Sequence, residues 1–469
     1  MLYRHKRSDQ LGEREQFLAP TYGSRELAGP VPKYRLPSGG MPARSAHSIV
    51  HDELMLDGNS RLNLATFVTT WMEPEARSLM AESFDKNMID KDEYPQTAAI
   101  EERCVSILAD LYHAPQQGGA CGCSTTGSSE AAMLGGLALK WKWRERMKAK
   151  GKPADKPNMV MGINVQVCWD KFCRYWDVEP RFVPIEPGRY CLNADEALKR
   201  CDENTIGIVG IMGTTFTGEY EPIREINNEL EAFNSTTGYE IPIHVDAASG
   251  GFIAPFLQPD LEWDFRLKWV KSINVSGHKY GLVYPGVGWA IWRDRAELPE
   301  DLIFHVNYLG GDMPTFALNF SRPGNQVVAQ YYNFLRLGFQ GYVEVQRACR
   351  EVAAHLAAEL ENMGVFECVT DGSDIPVLAF KLRDDADVNF SVFDMSEMLR
   401  HRGWLVPAYT MPADCEDMAV MRIVAKAGFS HDMSDLLLDD MRRVLKHFEQ
   451  QPGYKATHPE KKGKVHRHC

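Results

Sequence analysis

Nearly continuous apolar runs alternate with helical patterns in the middle of the chain, between about residues 63 and 340. Unbroken apolar runs of this length are typical of parallel strands that helices cover on both faces. A helix is predicted over residues 130–150, which begin with small apolar side chains and end in basic ones that suit the helix dipole. The alternation predicts an α/β sheet with ligand loops at the carboxyl ends of its strands. The predicted strands cover 158–165, 205–213, 239–248, 270–276 and 286–293.

The pattern changes at both ends of this region. Residues 1–62 are rich in Pro, Gly, Arg and Ser, which predicts an extended or irregular N-terminal arm. Residues 63–345 form the predicted large domain. Helix and strand patterns over 346–452 predict a small C-terminal α+β domain, and residues 453–469 are a polar, basic tail.

Length, charge and cysteine content narrow the function classes. The 469 residues exceed the usual size of one hydrophobic core, and the net charge of −12 argues against a nucleic-acid-binding protein. Eleven scattered cysteines without a CxxC pair predict reduced thiols, no metal site and a cytoplasmic location. The N-terminus lacks the apolar core of a secretory signal, and no apolar run approaches the ~20 residues that span a bilayer.

A carboxylate, Asp246, ends one of the buried strands. An unpaired charge there is costly, so the side chain needs a partner, and the cationic ring nitrogen of a cofactor fits. A carboxylate that only caps the following loop is the alternative, and the strand pattern alone does not decide between them.

The stretch GCSTTGSSE, residues 122–130, precedes the predicted helix. It resembles a phosphate-binding loop that lacks the usual lysine, so a monophosphate fits better than a nucleoside triphosphate. Ser128 and Ser129 provide two hydroxyls beside the first N–H groups of the helix. An ordinary serine cap is the alternative.

A lone lysine, Lys279, lies in a turn of small residues after the strand at 270–276. A lysine amine near a phosphate loop and a buried carboxylate describes a site for pyridoxal phosphate, in which the amine bonds to the cofactor aldehyde. Ser276 and His278 flank the lysine and are within reach of the phosphate. A solvated loop is the alternative for the His-Lys pair alone.

Four stretches closely resemble the group II pyridoxal-phosphate decarboxylases, and the glutamate decarboxylases among them. They are SINVSGHKYG, HVDAASGGF, TTGSSEAAMLGG and NFSRPGNQVVAQYYNFLRLG. The resemblance covers about residues 52–450. It implies fold type I of the pyridoxal-phosphate enzymes, an aspartate aminotransferase-like fold with a mostly parallel central sheet. It also implies α-decarboxylation of L-glutamate to 4-aminobutanoate and CO₂, with a proton consumed in each turnover.

The same resemblance assigns cofactor residues. Lys279 is the implied Schiff-base lysine, Asp246 the partner of the pyridine nitrogen, and His278 a catalytic and phosphate-binding residue. Gln166 stacks on one face of the ring, where aromatic amino-acid decarboxylases have His, and Ala248 lies under the other face. The remaining implied contacts are with the phosphate, from Ser128, Ser129, Ser276 and the neighbouring subunit's copy of Ser321, and with the ring hydroxyl, from Thr215.

Five residues correspond to substrate-binding positions of the glutamate enzymes. Thr66, Phe67, Asn87 and Asp90 are implied around the distal carboxylate, partly across a dimer interface, and Arg422 is implied at the α-carboxylate, which an arginine fork suits. A structural salt bridge is the alternative for Arg422. Because two adjacent carboxylates cannot both stay ionised cheaply, Asp90 predicts an activity that favours acidic pH.

Assembly and regulation are the last implications. Ser321 acting across an interface requires at least a homodimer, and the glutamate enzymes are often hexamers. His466 or His468 in the tail corresponds to a histidine that closes the site at higher pH in bacterial relatives, which suits a role in acid resistance. The tail has no Trp, so calmodulin binding is not expected. The open alternatives are an aspartate or aromatic amino-acid decarboxylase, a sphingosine-phosphate lyase and a catalytically silent regulatory homologue.

Overall fold

A seven-stranded sheet lies at the centre of the larger of the two units of the chain, which begins at Arg61. The computed structural model describes residues 33–117, 119–307 and 313–457. The strands are β1 (Cys121–Thr125), β2 (Asn158–Gly162), β3 (Glu179–Val183), β4 (Thr205–Ile211), β5 (Ile243–Asp246), β6 (Val270–Val275), β7 (Gly288–Trp292), β8 (Phe304–Val306), β9 (Met313–Thr315), β10 (Phe366–Cys368), β11 (Val377–Leu382), β12 (Ala408–Thr410) and β13 (Ala419–Val424).

The central sheet has the strand order β1-β7-β6-β5-β4-β2-β3. The pairs from β3 to β6 are parallel, and β7 is antiparallel to both of its neighbours. Every residue of β4 is buried, as expected for a strand with both faces covered. The predicted α/β fold with a mostly parallel sheet is confirmed.

Helices cover the sheet. The helix over Ser128–Ala149 begins two residues before its predicted start at residue 130. It packs against the central strands β4 and β6 as well as against β7. Its last turn carries basic side chains, as predicted, and their positive charge interacts favourably with the negative end of the helix dipole. The helices are α1 (Ala43–Leu54), α2 (Pro74–Glu82), α3 (Pro95–Leu111), α4 (Ser128–Ala149), α5 (Val167–Tyr175), α6 (Ala194–Leu198), α7 (Ile223–Thr237), α8 (Ala254–Leu257), α9 (Asn325–Asn362), α10 (Val392–Arg400) and α11 (His431–Glu449).

The direction of the strands places several loops at one edge of the sheet. Strands β2, β4, β5 and β6 are parallel, and β1 points the same way because it is antiparallel to the antiparallel β7. Their carboxyl ends therefore meet at one edge, where α/β proteins bind ligands. Ser128 and Lys279 follow β1 and β6, and Asp246 is the last residue of β5.

The chain divides after Ser60, and the first unit corrects one prediction. Residues 43–54 form the regular helix α1 within the stretch predicted to be irregular. Pro42 takes the position before the helix, where proline is tolerated, and the next twelve residues contain neither Pro nor Gly. Composition averaged over the whole arm concealed this short helical stretch.

The C-terminal part contains a second, antiparallel sheet with the order β10-β11-β13-β12. It packs with α9, α10 and α11 around a hydrophobic core of its own. Helix α9 is interrupted at Gly338, which has φ +58°, a conformation that glycine adopts without strain. The predicted domain boundary at residue 345 falls inside α9. In the described ranges, no helix is both long and apolar enough to cross a bilayer.

A buried carboxyl group, Glu221, joins β4 to the segment before α6. Its two oxygens accept hydrogen bonds from the backbone N–H groups of Ile211 at 2.8 Å and Leu192 at 3.1 Å. Burial nevertheless raises the pKa of Glu221 to about 7, because the charged form is poorly solvated there. The side-chain oxygen of Asn164 is buried nearby without a hydrogen-bond partner.

Glu221 makes the stability of the fold depend on pH. Its pKa is raised from 4.5 to about 7 on folding, so between these values the folded chain binds a proton that the unfolded chain has released. The free energy of unfolding therefore falls as pH rises through this window, by up to about 1.4 kcal/mol per pH unit from this group. Glu221→Gln removes this dependence, so the destabilisation it causes is larger at pH 5 than at pH 8. Urea unfolding at both pH values measures this, with exposed Glu225→Gln as control, and an equal cost at both would contradict the assignment.

Candidate active site

The turn after β6 presents Lys279 at the carboxyl edge of the sheet. Its backbone is fixed from two sides, since Ser276 donates its N–H to the carbonyl of Ala248 and the Lys279 carbonyl accepts from Thr69 Oγ1 at 2.6 Å. The side chain is half-buried, and Nζ donates to Ser249 Oγ at 3.3 Å. The lysine is therefore part of a packed turn, not of a solvated loop.

The surroundings of the Lys279 amine favour its neutral form. Burial lowers its pKa, the charge of Arg422 lowers it further, and the carboxylate of Asp246 acts in the opposite direction. Nζ lies 5.0 Å from the centre of the Phe67 ring. A neutral amine is the nucleophilic form of lysine, so this environment suits covalent chemistry.

Asp246 ends β5 with a side chain that is 5% exposed. Its Oδ2 accepts a hydrogen bond from Trp169 Nε1 at 2.8 Å, and its Oδ1 accepts from Asn274 Nδ2 at 2.9 Å and from the N–H of Ala248 at 3.1 Å. The contact with Ala248 is the loop cap that the sequence left open as an alternative. The other two donors, from α5 and β6, hold the carboxylate in one orientation.

A buried histidine, His244, fixes the orientation of one of the donors to this carboxylate. His244, on β5, lies between Ser272 Oγ and Asn274 Oδ1, each 2.7 Å from a ring nitrogen. Burial lowers the pKa of His244, so the neutral ring donates from Nε2 to Asn274 and accepts at Nδ1 from Ser272. Asn274 is thereby oriented with its N–H group toward Asp246.

The start of α4 forms a cradle with the turn after β6. Ser128 Oγ lies 2.5 Å from Ser276 Oγ, and the residue before the helix is Gly127, not a capping serine. A Cβ on Gly127 would lie 2.9 Å from the ring of His278, and one on Gly288 would lie 2.5 Å from the backbone of Gly127. Two glycines are thus needed for this close approach. Ser129 is exposed on the first turn of the helix.

His278 faces the same cradle as a neutral side chain. Burial and the neighbouring Lys279 lower the pKa of His278 to about 4. Its Nδ1 accepts from the N–H of Gly286 at 3.4 Å, which leaves the proton on Nε2 as a donor. A neutral donor at this position suits an anion without adding charge.

Arg422, on β13, comes to the site from the C-terminal sheet. It is 8% exposed, and its guanidinium donates to the carbonyls of Thr215 and Ala65. The guanidinium lies 4.9 Å from the Phe67 ring centre. In the described ranges no carboxylate lies within 4.0 Å of Arg422, and its Nε is buried without a partner. The structural salt bridge is therefore not present there, and the arginine is available to an anionic ligand.

Two further predicted residues lie near these groups. Gln166 is the N-cap of α5, and its Oε1 accepts from the N–H of Cys168 at 2.6 Å. It is half-buried after β2, as Ala248 is after β5. Both residues thus lie at the carboxyl edge of the sheet, after strands that are separated by β4.

Asn87, Asp90 and Ser321 form a separate group. Asn87 Nδ2 donates to Ser321 Oγ at 3.2 Å, and the N–H of Asp90 donates to the carbonyl of Asn87 at 3.1 Å. Within the described part of the chain, no hydrogen bond joins these residues to Lys279 or Arg422. His466 and His468 lie outside the described residues.

Several side chains at the site were not predicted. Trp169, Asn274 and His244 orient Asp246, and Lys426 is buried beside Thr66. A polar residue inside an apolar run, such as His244 within IPIHV, is the signal that could have identified one of them. The contacts of the others join segments far apart in the chain, which no local pattern reveals.

A family model now decides how this site is to be understood. The model described as "Pyridoxal-dependent decarboxylase conserved domain" matches residues 37–383, most of the chain. The chain belongs to the pyridoxal-dependent decarboxylases. Pyridoxal phosphate is the cofactor of this family, and the amine of Lys279, the carboxylate of Asp246 and the paired hydroxyls of Ser128 and Ser276 fit such a cofactor.

Individual relatives are similar over almost the whole decarboxylase chain. A glutamate decarboxylase of Aliivibrio fischeri is 56% identical over 94% of this chain and 95% of its own length. A glutamate decarboxylase beta of Listeria monocytogenes is 49% identical over 94% and 97% of the two chains. The solved structure of a Lactobacillus brevis glutamate decarboxylase superposes with a TM-score of 0.89 at 48% identity, covering 92% of this chain and 98% of that one.

Trp169 provides a test of the support for Asp246 in this decarboxylase. Trp169→Phe removes one donor of a buried charged acceptor, a bond worth about 1.5–3 kcal/mol, so cofactor affinity should fall roughly tenfold or more. Equilibrium dialysis against pyridoxal phosphate measures this change. Trp176→Phe is the matched control at the end of the same helix, because Trp176 Nε1 has no hydrogen-bond partner. Unchanged affinity in Trp169→Phe would show that this donor does not support the cofactor site.

Proposed function

We propose that this protein removes the α-carboxylate of L-glutamate as CO₂, producing 4-aminobutanoate and consuming one proton. The proposal rests on one observation: Lys279 Nζ and the Arg422 guanidinium lie 5.0 and 4.9 Å from the centre of the same Phe67 ring. Identity of 48–56% to proteins named glutamate decarboxylase, over nearly full length, supports glutamate as the substrate.

Bound pyridoxal phosphate supplies a cationic ring that accepts the electron pair left when the Cα–carboxylate bond breaks. Asp246 would pair with the ring nitrogen and keep it protonated. Lys279 would hold the cofactor between turnovers, and its amine would be the group that returns a proton to Cα. Ser128, Ser276 and His278 hold the phosphate, while Gln166, Ala248 and Thr215 position the ring.

Arg422 selects which bond breaks. Its partnerless Nε and its lack of a carboxylate partner within the described ranges support a role as the acceptor site for the α-carboxylate. Holding this group would fix the direction of the Cα–carboxylate bond that is to break. The guanidinium itself stays oriented by the two carbonyls that it contacts.

Thr66, Phe67, Asn87 and Asp90 recognise the distal carboxylate of glutamate. Asp90 next to that carboxylate requires one shared proton, so activity is highest at acidic pH. Consumption of a proton in each turnover suits acid resistance. Ten free cysteines in the described residues support a reducing compartment such as the cytoplasm.

The active assembly is at least a homodimer, and a homohexamer is the larger candidate. Ser321 is exposed and hydrogen-bonded to Asn87, a position from which it can reach a cofactor in a second copy. The neighbouring Leu318 and Phe320 are 43% and 40% exposed, and burial of such side chains favours association.

A comparison of substrates tests the proposed function. Purified holoenzyme is supplied with each of the twenty common amino acids at pH 4.5–5, and released CO₂ and the amine product are measured. We expect CO₂ from L-glutamate, with 4-aminobutanoate in equal amount, at a kcat/KM at least about 100-fold above that for aspartate or the aromatic amino acids. Faster release from another amino acid would replace glutamate as the substrate. No release from any of them would contradict decarboxylation.

A further inference from the structure

Lys426, two residues beyond the end of β13, is 5% exposed. Its Nζ donates to the carbonyl of Val68 at 3.1 Å and to that of Thr66 at 3.3 Å. In the ranges that the structure describes, no carboxylate lies within 4.0 Å of this amine. A buried ammonium without a counterion is energetically costly, so the two carbonyl oxygens must replace the solvation that water would give it.

Those carbonyls belong to residues 64–69, a segment that is anchored by Arg422 and Val424 of β13 and by Lys426 just beyond its end. The N–H of Val424 donates to the carbonyl of Leu64 at 3.0 Å, Arg422 donates to that of Ala65 at 2.5 Å, and Lys426 donates to those of Thr66 and Val68. Side chains at alternate positions of an extended chain point to one side, so Arg422 and Lys426 reach the same segment.

The other end of the segment is bound to the lysine turn. Thr69 donates its N–H to the carbonyl of His278 at 2.8 Å and its hydroxyl to that of Lys279 at 2.6 Å. Phe67, 8% exposed, lies between the two sets of anchors, with its ring 5.0 Å from Lys279 Nζ and 4.9 Å from Arg422. Lys426 therefore hydrogen-bonds to the backbone of the residues immediately before and after Phe67.

We propose that Lys426 is a positioning residue that holds Phe67 beside Lys279 and Arg422 through the carbonyls of Thr66 and Val68. It acts through the segment and contacts neither substrate nor cofactor. The role deepens the proposed function and rests on it. A charge-assisted bond to each carbonyl fixes the ring more firmly than a neutral donor would.

The two hydrogen bonds from Lys426 depend on pH in a defined direction. Burial lowers the pKa of Lys426 to about 8. The titratable or charged residues that hydrogen-bond to the same segment include Arg422, Lys279 and His278, all of them basic. The ammonium is therefore present at acidic and neutral pH and loses its proton as the pH rises through about 8, which weakens both bonds. An arginine makes similar contacts and keeps its charge.

Two variants of the holoenzyme test the proposal. With L-glutamate at pH 5, Lys426→Met should lower kcat/KM at least about tenfold, and Lys426→Arg should stay within about threefold of the wild type. Lys140→Met is the matched control, because Lys140 also donates to a backbone carbonyl, that of Trp176, and burial lowers its pKa too. It lies twelve residues along α4 from Ser128, about 18 Å away, and should leave kcat/KM unchanged. If Lys426→Met does not fold, Lys426→Gln replaces it.

A double-mutant cycle separates positioning from general stability. Because Lys426 acts through Phe67, Lys426→Met should cost little further activity in a Phe67→Leu background. The visible absorption of the wild-type holoenzyme, titrated from pH 6 to 9 without substrate, should change around a defined midpoint pH. In Lys426→Arg this midpoint should move to higher pH, or the change in absorption should disappear.

Specific results would overturn the inference. They are a folded Lys426→Met with wild-type kcat/KM, equal losses in the methionine and arginine variants, fully additive effects with Phe67→Leu, or identical absorption titrations in wild type and Lys426→Arg. If the wild type releases no CO₂ from glutamate, the proposed function fails, and the absorption titration still decides the role of Lys426.

Discussion

A negative charge at the end of a buried strand is the constraint on which this structure depends. The carboxylate of Asp246 is almost inaccessible to water, so protein N–H groups must solvate it. Trp169, Asn274 and the backbone of Ala248 do so, and neutral His244 fixes the orientation of Asn274. This arrangement leaves the charge strongly attractive to a cationic ring that enters from the open edge of the sheet.

The remaining parts of the site are arranged around that charge by the direction of the strands. Parallel strands bring Ser128, Asp246 and Lys279 to one edge, and β13 of the second sheet brings Arg422. The segment 64–69 joins the two, since it is bound to the turn of Lys279 at one end and to β13 at the other. One short stretch of backbone therefore connects the turn of Lys279 with the strand of Arg422.

Much of this could be predicted from the sequence because strand ends are local features. Unbroken apolar runs marked β4, β5 and β6, and Asp246 and Lys279 stood out as charges next to them. The small-residue loop before α4 was equally visible. The resemblance in four motifs then added Arg422 and Phe67, whose local pattern was ambiguous.

The rest depends on contacts between distant residues. Lys426 and Thr66 are bonded across 360 positions, and Trp169 reaches Asp246 across 77. Helix α1 was missed because the prolines and glycines around it dominated the composition, and the predicted strand at 239–248 is shorter in the structure because only Ile243–Asp246 joins the ladder. Periodicity indicates which face of an element is apolar and does not indicate which distant partner covers it.

The central claim is that the Lys279 amine bonds to the aldehyde of pyridoxal phosphate. Borohydride reduction of the holoenzyme, followed by digestion and mass spectrometry, tests it most directly. The account predicts a reduced cofactor adduct on the peptide that contains Lys279, and loss of that adduct in Lys279→Ala. An unmodified Lys279 peptide, or an adduct on another lysine of the wild-type protein, would contradict it.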